Sequence, residues 1–215
     1  MISASTDSLL KGLGCNMTEK APKDLFPEEC LVQVSSALLK DPKALKLCWG
    51  ALKKHQDLLH PEMLLKFLNN ESTEPNVIGA LLLKLNHRRF SKIVDHCKKA
   101  KFKSEKPSKI LQLAAKIGQT NYDIHFKAFG LDISELENID TKKISSLEHL
   151  TKNNIFYKNR LLFGSNWRAD IISCIQKGEE NPSQIKKRLH CSYETAHRVF
   201  SDYSKFMEVA GNLAV

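Results

Sequence analysis

The sequence predicts an all-α protein in two parts, an N-terminal helical bundle and a C-terminal three-helix domain. Two observations carry this fold class. Proline stands at several potential helix starts, twice directly after a capping residue (Asp41 and Asn181), and proline is favoured in the first turn of a helix. Apolar residues then recur at spacings of three and four, which is the period of a helix with one buried face. Both patterns run through most of the 215 residues.

The first predicted segment, residues 1–24, is polar and aperiodic, and we expect a flexible arm there. A helical bundle domain is predicted over residues 25–118. Its first four helices begin near the proline positions 27, 42, 61 and 75. The run VIGALLL, residues 77–83, is apolar on nearly all sides, which predicts a helix in the middle of the bundle. Two further helices are expected around residues 90–97 and 110–117.

The second half of the chain begins with a looser pattern. Residues 119–154 are predicted to be an irregular connector that packs through a few aromatic side chains, with residues 144–150 helical or extended. Residues 155–215 are predicted to form the C-terminal domain. Its first helix is expected over residues 166–176, where Ile171, Ile172 and Ile175 make an apolar stripe, and Gly178 ends it.

A short turn joins the last two predicted helices. Asn181 and Pro182 begin a helix that ends near Leu189, and Ser192 caps the next one, predicted over about residues 192–205. A turn of this length makes two helices cross steeply and projects the first half of the second helix outward. Such a helix can enter the major groove of DNA. The side chains predicted to contact DNA are Ser183, Lys186, Lys187, Arg188, Ser192, Tyr193, His197, Arg198 and Ser201.

The segment PSQIKKRLHCSYETAHRVFSDY resembles the winged helix-turn-helix regulators of bacteria, in which a run like PSxIxxRLxxSYETxHRxxxDY is frequent. The resemblance covers about fifty residues, from Leu161 onward. It implies a helix-turn-helix fold that binds double-stranded DNA in transcriptional control. Two departures are visible. His190 stands where the left-handed turn often has glycine, and the residues after the third helix suffice for one strand, so the wing is expected to be short or absent.

A second basic region lies in the N-terminal half. Between residues 84 and 109, ten lysines and arginines face only two acidic residues, and the whole chain carries a formal charge of +9. Clustered cations can neutralise phosphates without reading sequence. The alternative is a solvated face followed by a basic linker. The residues assigned to this secondary basic patch are Arg88, Arg89, Lys92, Lys98, Lys99, Lys101 and Lys103.

Other classes of function lack sequence support. No nucleotide-binding loop or nucleophile motif is present, so we expect no catalytic residue, no cofactor and no enzyme activity. The six cysteines are scattered without metal-ligand spacing, which indicates buried, reduced thiols in a cytoplasmic protein and no metal site. No apolar run is long enough to span a membrane, and no secretory signal is visible.

Two functions are consistent with these patterns. The first is a DNA-binding transcriptional regulator, in which the bundle would serve dimerisation, partner contact or regulation. The second is a protein–protein adaptor or antitoxin-like module that uses the helical domains as docking surfaces. The first predicts one continuous basic face, and the second predicts an exposed apolar patch. A homodimer or another protein partner is compatible with either function.

Overall fold

The computed structural model describes residues 4–22, 25–70, 74–99, 122–136 and 141–212. In this part of the chain all regular structure is helical, with no β-strand, and the predicted all-α class is confirmed. Two isolated β-bridges join Cys15 to Ile144 and Tyr122 to Ser134. The chain divides into two compact units, Met1–Ser146 and Leu147–Val215, which are called the N-terminal and C-terminal units below.

The described part of the N-terminal unit contains seven α-helices. They are α1 (Thr6–Gly12), α2 (Pro27–Leu38), α3 (Pro42–His55), α4 (Pro61–Asn70), α5 (Pro75–Leu85), α6 (Ser91–Lys99) and α7 (Ile124–Lys127). Short 3-10 turns occupy Gln56–Leu58, Arg88–Phe90 and Thr141–Lys143. The four proline starts are confirmed, because each of these prolines begins a helix. At α3, the Asp41 carboxylate also accepts a hydrogen bond from the Lys43 backbone N–H at 2.8 Å.

The helices α2 and α5 form the centre of this unit. α2 contacts α1, α3, α4 and α5, whereas α5 contacts α2, α3, α6 and α7. Val77, Ile78, Ala80 and Leu81 of α5 are fully excluded from solvent. The prediction that this apolar run lies inside the bundle is therefore confirmed. The helix predicted around residues 110–117 lies outside the described residues.

The flexible arm predicted for residues 1–24 is wrong over its described part. Residues 6–12 form α1, which packs on α2 and α3 and buries Leu9 and Leu10. Leu13, just after the helix, is buried with them. Leu9, Leu10 and Leu13 lie on the same side of this two-turn helix and its C-cap, and their burial outweighs the polar composition on either side.

The irregular connector predicted for residues 119–154 also needs correction, because the unit boundary cuts through it. Its described residues 122–136 and 141–146 belong to the N-terminal unit, where Phe126 and Phe129 are buried as the expected aromatic contacts. Residues 141–146 are held by side chains from elsewhere in that unit. Asn16 Nδ2 donates to the Lys142 carbonyl at 2.6 Å, and Lys54 Nζ donates to the Ile144 carbonyl at 3.2 Å.

The C-terminal unit contains five α-helices in its described residues. They are α8 (Leu147–Asn153), α9 (Ile155–Phe163), α10 (Trp167–Gln176), α11 (Pro182–Leu189) and α12 (Tyr193–Asn212). α8 packs on α9, and α9 packs on α10, while α10, α11 and α12 contact one another. The predicted bounds of α10 and α11 are confirmed to within one residue. α12 continues through Asn212, so the described residues after 205 are helical and not a strand.

Side-chain caps explain where these helices begin. The side-chain oxygens of Asn154, Asn166 and Asn181 accept hydrogen bonds from the backbone of the first turns of α9, α10 and α11. Ser192 Oγ accepts from the Thr195 N–H at 3.1 Å and caps α12. Each cap satisfies a donor that a helix start leaves unpaired. These local signals place the helices without help from the rest of the chain.

All six cysteines lie at described positions, and each is buried and forms no disulfide bond. Burial raises the pKa of the Cys15, Cys97 and Cys174 thiols to about 12. Among the described helices, none has the length and apolar character required to cross a membrane.

Candidate nucleic-acid interface and the adjoining groove

The turn between α11 and α12 is the local feature on which the candidate interface depends. His190 adopts a left-handed backbone conformation, with φ 54° and ψ 28°. On either side of it, Leu189 and Cys191 are buried, which fixes both ends of the turn. Histidine therefore occupies the left-handed turn position where helix-turn-helix regulators often have glycine, at some conformational cost.

The core beneath this turn is small and mostly aliphatic. Ile171 and Ile172 of α10, Ile185 of α11 and Ala196 of α12 are buried, at exposures of 3% or less. A polar network joins α9, α10 and α12. The buried Asn159 Nδ2 donates to Ser173 Oγ at 2.9 Å and to Gln176 Oε1 at 2.8 Å, and Gln176 Nε2 donates to the Tyr203 hydroxyl at 2.8 Å. Phe200 and Tyr203 of α12 are half-buried.

The predicted DNA-contacting residues of α11 are mostly on the surface. Ser183, Lys186 and Lys187 are exposed, whereas Arg188 is half-buried. The exposed hydroxyl of Ser192 is engaged in capping and shares a hydrogen bond of 2.8 Å with Thr195 Oγ1. Lys186 and Lys187 are thus the simplest cationic contacts that this helix offers.

On α12, Tyr193 and His197 form a pair on the outer side of the helix. Their ring centroids are 5.8 Å apart, and both residues are exposed. Ser201 lies one further turn along and is half-buried. Residues four apart lie on the same helix face, so this series presents one polar and aromatic stripe to solvent.

Arg198 lies apart from that stripe. Successive residues of a helix are rotated by about 100°, so Arg198 shares a face with Thr195 and Asp202 rather than with His197. These three residues line a groove with a volume of about 580 Å³ in the C-terminal unit. The other lining residues are Phe163, Asn166, Trp167, Arg168, Ile172, Val199, Tyr203 and Phe206.

Sequence reasoning missed this groove. The sequence patterns assign no functional role to Phe163, Trp167, Arg168 or Phe206. Arg168 lies against the Phe163 ring, with its guanidinium carbon 5.9 Å from the ring centroid. Arg168 and Arg198 are thirty positions apart, so no spacing rule could have paired them. The available signal was an aromatic residue, Phe206, directly after the predicted end of the last helix near residue 205.

The secondary basic patch is only partly described. Lys101 and Lys103 lie outside the described residues, and Arg88, Lys92, Lys98 and Lys99 are exposed. Arg89 has a structural role, because its guanidinium donates to the Asp57 carbonyl at 3.0 Å and to the Leu59 carbonyl at 2.7 Å. These bonds connect the 3-10 turn Arg88–Phe90, which precedes α6, to the segment before α4. Arg89 therefore contributes less exposed charge to the patch than its sequence implies.

Elsewhere in the N-terminal unit, one ionisable cluster joins α5 to α7. Lys84 Nζ donates to Asp123 Oδ2 at 2.6 Å, and the His125 ring nitrogen Nδ1 lies 3.0 Å from Asp123 Oδ1. Burial alone would raise the pKa of Asp123, but the hydrogen bonds from Lys84 and His125 lower it. Asp123 also caps α7 by accepting from the His125 backbone, so the cluster has a sufficient structural explanation. Within the described residues, no three His, Cys, Asp or Glu side chains converge as metal ligands would.

Comparison of the chain with protein-family models, curated proteins and solved structures finds no match.

Proposed function

We propose that the C-terminal unit binds double-stranded DNA through a helix-turn-helix of the winged-helix type, formed by α11 and α12, and that the protein acts in transcriptional control. The observation that carries the proposal is the left-handed turn at His190 between two helices that pack on α10. A turn of this kind leaves the first half of the following helix free to enter a major groove.

The surface residues divide into two roles under this proposal. Lys186 and Lys187 contact phosphates and supply affinity that does not depend on base sequence. Tyr193 and His197, on the outer stripe of α12, contact base edges and supply discrimination between sequences.

Fluorescence anisotropy with a labelled mixed-sequence duplex, measured between about 50 and 200 mM salt, tests the phosphate contacts. Removing two phosphate contacts in a Lys186→Gln, Lys187→Gln variant should weaken binding and make the slope of log K against log salt shallower by about two. The matched control is Lys152→Gln, Lys158→Gln, which removes the same charge from exposed positions on α8 and α9. Equal slopes for the two variants, or no wild-type binding at low salt, would contradict the proposal.

A second experiment addresses sequence discrimination. Selection from a random duplex pool should enrich a sequence with the wild-type protein. His197→Ala should enrich a different or weaker sequence while it retains most of the nonspecific affinity, because a base contact sets preference more than total binding. If wild type enriches nothing but binds the pool, the protein binds DNA without the specificity that a regulator needs.

A protein–protein adaptor is the second candidate, and a specific observation favours it. Of the ten large apolar side chains that are exposed in the described residues, eight lie in the C-terminal unit. Leu162 is 64% exposed, Phe206 is 63% and Val209 is 59%. Concentrated exposed apolar surface is typical of an interaction site. Absence of duplex binding, together with a protein that co-purifies with wild type but not with Leu162→Ser, Val209→Ser, would favour the adaptor.

A further inference from the structure

The groove in the C-terminal unit has the size and the mixed lining of a ligand site. Its volume of about 580 Å³ falls within the roughly 300–1,000 Å³ typical of small-molecule sites. Such sites are mainly apolar and carry a few polar groups that orient the ligand. The groove lies between the residues that connect α9 to α10 and the middle of α12, and nothing in the proposed DNA contact uses its interior.

The apolar part of the lining is largely aromatic. Phe163, Trp167, Tyr203 and Phe206 contribute rings, and the Tyr203 and Phe206 centroids are 6.3 Å apart. The hydroxyl of Tyr203 accepts the hydrogen bond from Gln176, which holds its ring in place. Phe206 is 63% exposed and Phe163 is 40% exposed, so both rings offer apolar surface that is not yet buried. Flat aromatic molecules gain the most from such walls.

Some polar side chains of the lining already have hydrogen-bond partners, which commits them to the fold, and others have none among the described residues. Asn166 is committed, because its side chain accepts from the Ala169 N–H and donates to the Phe163 carbonyl. Thr195 is committed through its hydrogen bond with Ser192. By contrast, the side chains of Arg198 and Asp202 have no hydrogen bond or ion pair to any residue that the structure describes, and the Arg168 guanidinium has within the described residues only its ring contact with Phe163.

Arg168 and Arg198 place two guanidinium groups in one groove, and this indicates a negatively charged ligand. A guanidinium presents a planar fork of donors that matches a carboxylate, sulfonate or phosphate, and charge-assisted bonds to it are among the stronger polar contacts. The single carboxylate of Asp202 leaves the groove with a net positive charge, and it can accept one hydrogen bond from an N–H or O–H group. Apolar surface alone would suit any hydrophobic partner, but the pair of arginines selects an anion.

We propose that this groove binds a small organic anion, namely an aromatic body that carries one acidic group and a hydrogen-bond donor. The acidic group binds Arg168 and Arg198, and the aromatic body packs against Trp167 and Phe206. The donor binds Asp202. The assignment does not depend on DNA binding, because the ligand site and the proposed phosphate contacts use different residues.

Two fluorescent dyes with the same aromatic skeleton test the proposal on the full-length protein. Anilinonaphthalene sulfonate carries an acidic group and an N–H donor, whereas phenylnaphthylamine is neutral. Wild type should bind both. In Arg168→Gln, Arg198→Gln, affinity for the sulfonate should fall by about tenfold or more, because two charge-assisted contacts are lost. Affinity for the neutral dye should change by less than about twofold, since its rings bind the aromatic walls and its N–H binds Asp202, all of which this variant retains.

Matched variants keep the result interpretable. Lys152→Gln, Lys158→Gln removes the same charge elsewhere in the unit, and Lys186→Gln, Lys187→Gln removes it at the proposed DNA face. Both should bind the two dyes as wild type does. Phe206→Ala, which removes a ring at an exposed position of the groove wall, should weaken the binding of both dyes. Far-ultraviolet circular dichroism checks that each variant keeps its helices.

Three outcomes would overturn the proposal. The first is equal loss of the sulfonate in the arginine and lysine variants, which would mean that binding responds only to net charge. The second is an arginine variant that binds both dyes as wild type does. The third is a Phe206→Ala variant with unchanged affinities, which would place the dyes outside the groove. Loss of duplex binding in the Lys186 and Lys187 variant, with dye binding retained, would separate the two proposals.

Discussion

In the C-terminal unit, Arg160 Nε donates to Asp170 Oδ1 at 2.7 Å, and both side chains are completely excluded from solvent. The pair joins α9 to α10. Removal of one partner leaves the other charge buried, which is far more costly than exposure of the same group at a surface. The position of α9 against the three-helix core therefore depends on a charge pair as well as on apolar packing.

Asp170→Asn should destabilise the C-terminal unit by about 3–5 kcal/mol, because it removes the Asp170 charge that pairs with the buried Arg160 guanidinium. Each unit contains one of the two tryptophans, Trp49 and Trp167. Urea unfolding followed by Trp167 fluorescence in a Trp49→Phe background thus reports on the C-terminal unit. A double replacement, Arg160→Met, Asp170→Leu, should cost less than Asp170→Asn alone. The reverse order would show that the charge pair is not the source of the loss.

His190→Gly should stabilise the C-terminal unit by about 0.5–1 kcal/mol. Glycine relieves the cost of the left-handed conformation, and its greater freedom in the unfolded chain offsets only part of that gain. His190→Val should destabilise the unit, because a β-branched residue tolerates a positive φ poorly. The same Trp167 unfolding measurement checks the order glycine, histidine, valine. A valine variant as stable as wild type would mean that the turn is not left-handed.

Gly79→Ala should destabilise the N-terminal unit by about 1–3 kcal/mol through overpacking. A Cβ at this position would lie 2.5 Å from Phe129 Cε1 and 2.7 Å from Cys97 Cβ. Trp49 fluorescence in a Trp167→Phe background reports on this unit. In a Phe129→Leu background the same alanine should cost less, which a double-mutant cycle measures. An unchanged cost would mean that Phe129 does not pack against α5.

Acid should destabilise the N-terminal unit through His55. Burial, followed by the nearby charge of Lys54, lowers the pKa of His55 from 6.5 to about 4, and its Nε2 lies 3.2 Å from the Ser145 carbonyl oxygen. The neutral ring donates to that carbonyl. Below pH 6.5 His55 binds a proton in the unfolded chain but stays neutral in the folded protein. The stability that the neutral His55 ring contributes is therefore fully present above pH 6.5 and is lost as the pH falls toward about 4.

The loss attributable to His55 should reach up to about 3 kcal/mol. It is measured as the difference in unfolding free energy between wild type and His55→Gln, followed by Trp49 fluorescence across this range of pH. Glutamine can donate to the same carbonyl but does not titrate, so its profile should be flatter. Parallel profiles for the two proteins would show that His55 is not protected from protonation.

Thiol labelling should distinguish the turn at His190 from the cores. Cys191, in that turn, is 8% exposed, whereas the other five cysteines are exposed by 3% or less. Ellman's reagent should therefore react first with Cys191, and a Cys191→Ser variant should lose this first equivalent. All six thiols should react after denaturation. A native protein whose first reactive thiol persists in Cys191→Ser would contradict the described packing of the turn.

The sequence by itself determined where most of the helices begin. An asparagine, aspartate or serine cap followed by proline or an apolar period acts within one or two helical turns, so its effect does not depend on the rest of the fold. For this reason the starts of α3, α10 and α11 were predicted nearly to the residue, whereas α5 begins at its proline without a side-chain cap. The left-handed turn at position 190 was likewise local, and so was the apolar character of α5.

Only the tertiary structure decided which distant side chains meet. Leu9 and Leu10 gain enough from burial against α2 and α3 to order a polar segment, although no local signal shows those partners. Arg89 donates hydrogen bonds to two backbone carbonyls of a distant segment, and Arg168 and Arg198 line the same groove. These outcomes depend on how helices cross, and crossing is set by the packing of whole faces rather than by the spacing of residues along one helix.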